Sequence, residues 1–437
     1  MTPPVAAASG LAGLLDELEW RGMLHTTTPG LPARLANGRP IAGYNGFDPS
    51  GPSLHIGSLV PVFGMLHLQR HGGRPIALVG GGTGMIGDPS GRSTERNLLD
   101  RETLEANVAS LRAQLERFLD FTGDTGALIV NNLDWLGEMG LIEFLRDIGK
   151  HFTVPYMLAK DSVQVRLERG LSFTEFSYML LQAADFDHLN RTMGVELQMG
   201  GADQWGNITA GLELIRRRSG GGEGDATAGE ERAHGLAYPL LLSPSGAKFG
   251  KSEGGDSVWL DPAMTTPYAF YQHWLNTDDR DVGIYLRWFT LLTREEIEAL
   301  EVEQAAKPES RVAQRTLARD VTARTHGEPT AAHVEAVSRA AFGGEPIRDA
   351  DVLATLHAAT GGFTFDGEPD GGLVGLLVRS GVFASNSEAR RLIAGGGLVV
   401  NDERVTDPAA PVPEPIAGEW LTVRIGKKRL LVGRRAR

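Results

Sequence analysis

Short apolar runs that end in glycine-rich turns, separated by helical stretches, constrain the first 215 residues more than any other feature. Ile76-Ala-Leu-Val79 is apolar throughout and runs straight into Gly80-Gly-Gly-Thr-Gly84. Ala127-Leu-Ile-Val130 is a second such run, and Val195-Glu-Leu-Gln-Met199 alternates before Gly200-Gly201. A run with no polar face reads as a strand buried on both sides, and strands that alternate with helical patterns such as Leu104 to Leu119 imply a parallel sheet. The fold class expected here is therefore α/β. Ligands bind such sheets at the carboxyl ends of the strands, which is where the glycines lie.

Composition narrows the function. The chain has 437 residues, 41% hydrophobic and 22% charged, enough for two or more domains with packed cores. It has no cysteine, which excludes disulfide scaffolds, thiolate metal sites and thiol nucleophiles and is compatible with a reducing compartment. No apolar stretch approaches the roughly 20 residues of a membrane span, and Asp16, Glu17 and Glu19 break the Ala-rich start before Arg21, so the expected place is the cytoplasm, with no membrane partner. A net charge of −12 argues against a protein that wraps nucleic acid wholesale. The tail differs: Gly371 to Arg437 holds 11 Lys+Arg against 6 Asp+Glu, a local +5. A polyanion could dock there, although a solvated basic terminus would look the same.

Composition shifts suggest the boundaries. The Gly/Glu/Thr-rich stretch at about 219–233 cannot pack a core and reads as a flexible insertion within a first domain, 1–262. Helical patterning with aromatic repeats takes over in 263–345, the glycine pairs Gly361-Gly362 and Gly371-Gly372 mark 346–372 as a linker in which Phe363 and Phe365 could anchor a part, and 373–437 forms the basic tail.

Two loops suit phosphate chemistry. Asp48-Pro-Ser-Gly-Pro leads into a helical run near Leu54 with His55-Ile-Gly-Ser58 at its start, where unpaired N–H groups and a partial positive charge receive anions. Lys248-Phe-Gly-Lys-Ser252 lies nearly 200 residues downstream and offers two lysines that could clamp a polyphosphate late in a reaction. Either alone has a bland alternative, a capped turn or a solvated basic loop. A third element is a helix around 173–189, where Tyr178, Gln182 and Asp185 recur at i, i+4 and i+7 amid Met179, Leu180, Leu181, Ala183, Ala184 and Phe186. That polar stripe faces either solvent or a polar ligand.

Together these loops resemble the paired signatures of class I aminoacyl-tRNA synthetases. The resemblance continues, in order, through Tyr44-Asn-Gly-Phe-Asp-Pro, Ala77 to Gly91, Phe173 to Gln182 and Gly200-Gly-Ala-Asp-Gln-Trp-Gly-Asn207, and is closest to the bacterial tyrosyl type. It implies a Rossmann-like parallel-sheet catalytic domain, an all-helical anticodon-binding domain and a small α+β S4-like RNA-binding domain. It also implies two steps: L-tyrosine and ATP give tyrosyl-adenylate and pyrophosphate, then the 3′ end of tRNA(Tyr) takes the tyrosyl group. ATP is a substrate that would carry its own Mg2+, with no metal ligand in the chain, and the family is homodimeric.

By motif position the resemblance implies the following roles. Tyr178, Gln182 and Asp88 would receive the substrate ammonium, and Tyr44 with Asp185 its phenol. His55 and Ser50 would face the γ-phosphate, Lys248 and Lys251 the pyrophosphate, with Pro49, Gly57 and Ser252 in the same loops. Gly201 and Asp203 would hold the ribose, Gln204 the tyrosyl carbonyl, and Asp48 would lie near the α-phosphate and the amine. Arg92 and Arg96 are candidate phosphate contacts, and Arg390 and Arg391 would meet RNA phosphates. Two positions depart from the common pattern: Ser58 stands for the last histidine of the first signature, and Asn45 for a frequent cysteine. Both would lie near the ATP ribose. The rival readings are a smaller nucleotidyltransferase of the same superfamily, a tryptophan enzyme, and a non-catalytic RNA-binding protein on a synthetase scaffold.

Overall fold

The apolar runs become strands of one sheet in the computed structural model, which describes residues 10–88, 99–160, 163–164, 170–219, 232–240, 257–343, 345–366, 371–426 and 429–436. The chain divides into two compact units, Met1–Thr265 with Thr277–Ala313, and Thr266–Asn276 with Gln314–Arg437.

The first unit is built on a six-stranded sheet of β1 (Thr26–Thr27), β2 (Ala42–Phe47), β3 (Arg74–Val79), β4 (Leu128–Asn131), β5 (Val195–Gly201) and β6 (His234–Tyr238), in the order β1-β6-β5-β2-β3-β4. Only the β1–β6 pair is antiparallel. The chain leaves β2 toward β3 and β4 on one side, then returns to β5 and β6 on the other. The order therefore reverses at β2, and the crevice outside the carboxyl ends of β2 and β5 is the topological switch point where such sheets bind ligands.

Helices α1 (Leu14–Trp20), α2 (Leu59–Arg70), α3 (Arg101–Leu115), α4 (Phe173–Met193) and α5 (Trp205–Arg218) belong to this unit. α4 starts at an N-cap where Ser172 Oγ accepts the Glu175 N–H at 3.2 Å, and it ends at Gly194 with φ 64°, the left-handed region that glycine enters freely. Tyr178, Ala183, Asp185, Phe186 and Leu189 are all buried on it, so its polar stripe looks into protein.

The boundary drawn at residue 262 is not where the compact units part. The helices Val282–Phe289 and Arg294–Ala306 lie in the first unit. Arg21 explains why: its buried guanidinium donates to the carbonyls of Arg287 (2.7 Å) in the last turn of the helix Val282–Phe289 and of Thr290 (3.1 Å) and Leu292 (2.7 Å) just beyond it, pairing acceptors the helix end cannot satisfy itself. Phe289 packs edge-on against Phe63 of α2 at 6.1 Å.

In the second unit, five strands, β7 (Phe363–Phe365), β8 (Leu398–Val400), β9 (Glu403–Arg404), β10 (Trp420–Ile425) and β11 (Arg429–Arg435), lie in the order β7-β11-β10-β8-β9. The stretch 346–372 is not a structureless linker. It carries the helix Ala350–Ala359, capped by Asp349, and β7, whose Phe363 and Phe365 are buried beside Leu373, Leu377, Phe383 and Leu421. Val352, Leu353 and Leu356 join Val337, Trp420 and Val432 in a second cluster, so the helices and the tail sheet share a core. Cutting the chain before Gly371 would therefore open that core rather than remove an independent module.

Candidate active site

The carboxyl ends of β2, β3, β4 and β5 each deliver polar side chains to the switch-point crevice. Asp48 follows β2; its Oδ1 accepts from Thr83 Oγ1 at 3.0 Å and its Oδ2 from the Tyr178 hydroxyl at 3.0 Å. Asn132 follows β4 and donates from Nδ2 to Thr83 Oγ1 (3.0 Å) and to Asp185 Oδ2 (2.9 Å). Trp135 Nε1 donates to Asp185 Oδ1 at 2.8 Å. One continuous relay thus runs Tyr178–Asp48–Thr83–Asn132–Asp185–Trp135. The glycines after β3 make it possible. A Cβ on Gly80 would stand 2.4 Å from Thr83 Oγ1 and 2.5 Å from Asp48 Oδ1, and one on Gly81 2.3 Å from Asn131 Oδ1.

The phenol end of this relay is set apart by burial. Asp185 is 2% exposed, and burial pushes its carboxyl up to about 7 against the opposing pull of the Asn132 and Trp135 hydrogen bonds. Tyr44 is equally buried, its ring against Phe186 at 5.4 Å, and its hydroxyl is raised well above the ordinary tyrosine value by burial and then by the Asp185 carboxylate. That hydroxyl has no partner among the described residues. A buried hydroxyl left this way costs about 1–3 kcal/mol, so the pair fits a ligand group that accepts from Tyr44 and donates to Asp185. A phenol does both.

The other end is electronegative. The Tyr178 hydroxyl is raised by burial first and then by the fields of Asp48, Asp88 and Asp185. Carboxylates gathered at one hydroxyl favour a cationic guest such as an ammonium. Gln182, half-buried, lies one turn beyond Tyr178 on the same face of α4. Asp88 is buried and accepts from Gln204 Nε2 at 2.7 Å, while Asn207 Nδ2 holds Gln204 Oε1 at 3.1 Å. Asp203 follows β5 beside Gly201, where a Cβ would meet Asp203 Oδ1 at 2.6 Å.

His55 stands at the start of a short turn, Ile56–Ser58, that feeds α2. Its Nδ1 accepts the Gly57 N–H at 3.0 Å and Ser58 Oγ accepts the His55 N–H at 3.4 Å, a reciprocal cap. An Nδ1 that accepts assigns the proton of the neutral ring to Nε2. The ring lies edge-on to Trp259 at 6.1 Å, and Ile56 N–H and Leu260 N–H pair with Val258 O (3.0 Å) and Leu54 O (2.9 Å). The chain just downstream of the second signature is thereby fastened to the first. Lys248, Lys251 and Ser252 themselves, like Arg92 and Arg96, lie outside the described residues.

Ser50 is exposed, while Pro49 is buried with its carbonyl accepting from Asn107 Nδ2 at 3.0 Å. Ser110 Oγ reaches Pro52 O at 2.6 Å and Gln114 Oε1 takes the Leu54 N–H at 3.0 Å, so one face of α3 splints the first signature. The two departures from the family pattern have local partners. Ser58 forms the cap just described. Asn45 is 1% exposed with Nδ2 3.4 Å from the Tyr238 hydroxyl.

Arg390 and Arg391 are both exposed on the helix Asn386–Ala394 of the second unit. Sequence reasoning missed Thr83, Asn132 and Trp135, and the splint Asn107, Ser110 and Gln114. Asn131-Asn132 directly after an apolar run was the available signal for the first group, and the i, i+3, i+7 spacing for the second. Gln198 was missed as well; it is buried in β5 in register with Tyr44.

Comparison with known proteins identifies the family. Residues 36–343 match the family described as tRNA synthetases class I (W and Y), and residues 362–432 match the tyrosine–tRNA ligase SYY-like C-terminal domain. The chain is 52% identical over 424 residues to the tyrosine–tRNA ligase of Anaeromyxobacter dehalogenans, covering 96% of this chain and 98% of that one. It is 50% identical over 428 residues to that of Geobacillus stearothermophilus, covering 95% and 98%. Among solved structures, a C-terminally truncated mitochondrial tyrosyl-tRNA synthetase from Aspergillus nidulans superposes with a TM-score of 0.66 at 30% identity, covering 75% of this chain and 93% of the other. With 308 consecutive residues inside the family match and relatives about half identical along nearly the whole length, the chain belongs to the class I tRNA synthetases of the W and Y type, on their bacterial tyrosyl branch.

Proposed function

We infer that this chain is a tyrosine–tRNA ligase and that the orphaned Tyr44 hydroxyl beside Asp185 is where it reads its amino acid. In the first step a tyrosine carboxylate oxygen attacks the α-phosphorus of ATP; the α–β bridging bond breaks, and pyrophosphate leaves with its electron pair. In the second, a ribose hydroxyl at the tRNA 3′ end attacks the tyrosyl carbonyl and AMP leaves. No protein nucleophile is needed, so rate enhancement comes from placement and charge stabilisation. Asp48, Asp88, Tyr178 and Gln182 hold the ammonium, Gly201 and Asp203 the ribose, and Gln204 the region of the tyrosyl carbonyl. His55 Nε2–H and Ser50 meet the triphosphate with Lys248 and Lys251, and Mg2+ arrives on ATP. The cytoplasm is the compartment that supplies all three substrates.

The phenol pair also accounts for selectivity. A phenylalanine ring would leave both Tyr44 and Asp185 unsatisfied, and sites built this way reject the shorter analogue by about 10⁴–10⁵-fold, a range for which tyrosyl-tRNA synthetases are themselves the reference case. ATP–pyrophosphate exchange tests the reading: tyrosine should support it while phenylalanine and tryptophan do not. Exchange with tryptophan, or with none of the three, would overturn it.

Partners divide between the units. Leu141 (71% exposed), Ile142 (74%) and Phe173 (78%) are large apolar side chains exposed on the first unit, which fits a second copy of the chain. Ile142→Asp is expected to shift the protein from dimer to monomer in sedimentation velocity at micromolar concentration. In the second unit, Arg390 and Arg391 suit RNA phosphates. Replacing both by alanine should raise the KM for tRNA and flatten its salt dependence by roughly two phosphate equivalents, with tyrosine-dependent exchange unchanged.

A further inference from the structure

Trp135 belongs to a single helical turn, Leu133–Leu136, that buries none of its own residues. One turn fixes little by itself, so the direction of the indole needs another support. His188 supplies it. The two rings are stacked, with centroids 4.5 Å apart and planes 10° from parallel. His188 is on α4 three residues after Asp185, hence on the same face, and Trp135 bridges the two by stacking on one and donating to the other at 2.8 Å.

From this geometry we propose that His188 is a positioning residue for amino-acid selection, holding the Trp135 indole flat so that its N–H occupies one oxygen of Asp185 and the carboxylate's remaining lone pairs aim at the substrate hydroxyl. The proposal rests on the assignment of Tyr44 and Asp185 to the phenol. The indole N–H takes Oδ1 and Asn132 takes Oδ2, so each oxygen keeps one direction for a further donor. If the indole tilts, Oδ1 loses its partner and the carboxylate rotates toward whatever donor remains. The groups around the imidazole suit a stacking role. Burial lowers its pKa, Arg191 lowers it further and Asp187 opposes. Asp187 is itself held by Arg191 at 2.9 Å and by Arg218 at 3.1 Å, so its charge is spent on guanidinium groups. At neutral pH the stack is between two uncharged aromatic rings.

The test is ATP–pyrophosphate exchange with tyrosine and phenylalanine on the full-length enzyme, for His188→Ala, His188→Gln and His188→Phe, each also in a Trp135→Phe background. His188→Ala and His188→Gln should raise the KM for tyrosine about three- to ten-fold, the worth of one aromatic pair, leave the KM for ATP unchanged and lower the preference for tyrosine over phenylalanine equally. His188→Phe, which keeps a ring, should restore both within about two-fold. Once Trp135 has lost its N–H, removing His188 should cost nothing further. An unchanged preference in both ring-less variants, or the same loss with and without the indole N–H, would overturn the role of His188. Tyr44→Phe with Asp185→Asn separates the two readings: if that enzyme still prefers tyrosine, the phenol assignment itself fails; if it does not and the His188 variants are silent, only the positioning role does.

Discussion

Asp185→Asn is expected to make a more stable protein that no longer selects tyrosine. The native carboxyl titrates near 7 because it is buried, whereas the same group in the unfolded chain titrates near 3.8. A folded pKa above the unfolded one means that the native state binds the proton more tightly. The stabilising contribution is therefore complete below about pH 3.8 and is lost as pH rises to about 7, a difference of about 4 kcal/mol. Asparagine carries no charge to desolvate, but its amide nitrogen would face one of the two N–H donors, Asn132 or Trp135, and gives back about 1–2 kcal/mol. The net gain should be about 2 kcal/mol at pH 8, shrinking as the pH falls toward 5, measured by denaturant unfolding across that range. Over the same range the mutant should lose about 100-fold or more in kcat/KM for tyrosine while its kcat/KM for phenylalanine changes little. In the unmutated enzyme, the preference for tyrosine should narrow as pH falls below 7, because a neutral carboxyl stranded by phenylalanine costs less than a charged one. A mutant that is less stable at pH 8, or whose preference is intact, would contradict this account of the buried pair.

The second large effect concerns His55. Asparagine can accept the Gly57 N–H as the imidazole Nδ1 does, so His55→Asn preserves the cap of the turn that feeds α2 but withdraws the Nε2–H. A donor that acts where charge develops is worth about 10²–10³ in rate. His55→Asn is therefore expected to slow adenylate formation by that factor in single-turnover measurements, with the Kd for tyrosine and the melting temperature nearly unchanged. A mutant that binds tyrosine poorly instead would place His55 in substrate binding rather than in the reaction.

The sequence carried these two sites unequally. His55, the polar stripe of α4 and the glycine clusters after β3 and β5 could be seen because each combines a periodicity with a residue whose conformational or chemical needs are strict. β2 escaped notice, since Gly43 and Gly46 interrupt the apolar pattern that marks a strand; a Cβ on Gly43 would stand 2.8 Å from Leu68, so helix packing demands the interruption. The helix within 346–372 was hidden by the glycine pair that follows it, although Val352, Leu353 and Leu356 carry normal helical spacing, whereas Phe363 and Phe365 stood out as anchors without revealing the strand they form. Arg21 could not have been placed at all. A guanidinium that serves three carbonyls some 270 residues away leaves no local trace. Asn132 and Trp135 fall between these cases. Their position after β4 was legible, but which carboxylate they steady depends on how α4 crosses the sheet.

The relay from Tyr178 to Trp135 joins the two ends of the amino-acid pocket through shared hydroxyl, amide and carboxylate groups. It acts as a calliper, fixing the span between the point that grips an amine and the point that grips a phenol. An engineer who exchanges Asp185 for an apolar residue, to admit an unnatural side chain, also takes the shared acceptor from the Asn132 amide and the Trp135 indole, while Thr83 and the Gly82 N–H still hold Asn132. The groups left without an acceptor at the distal jaw are Asn132 and Trp135, so libraries aimed at new amino acids should vary these two together with Tyr44 and Asp185.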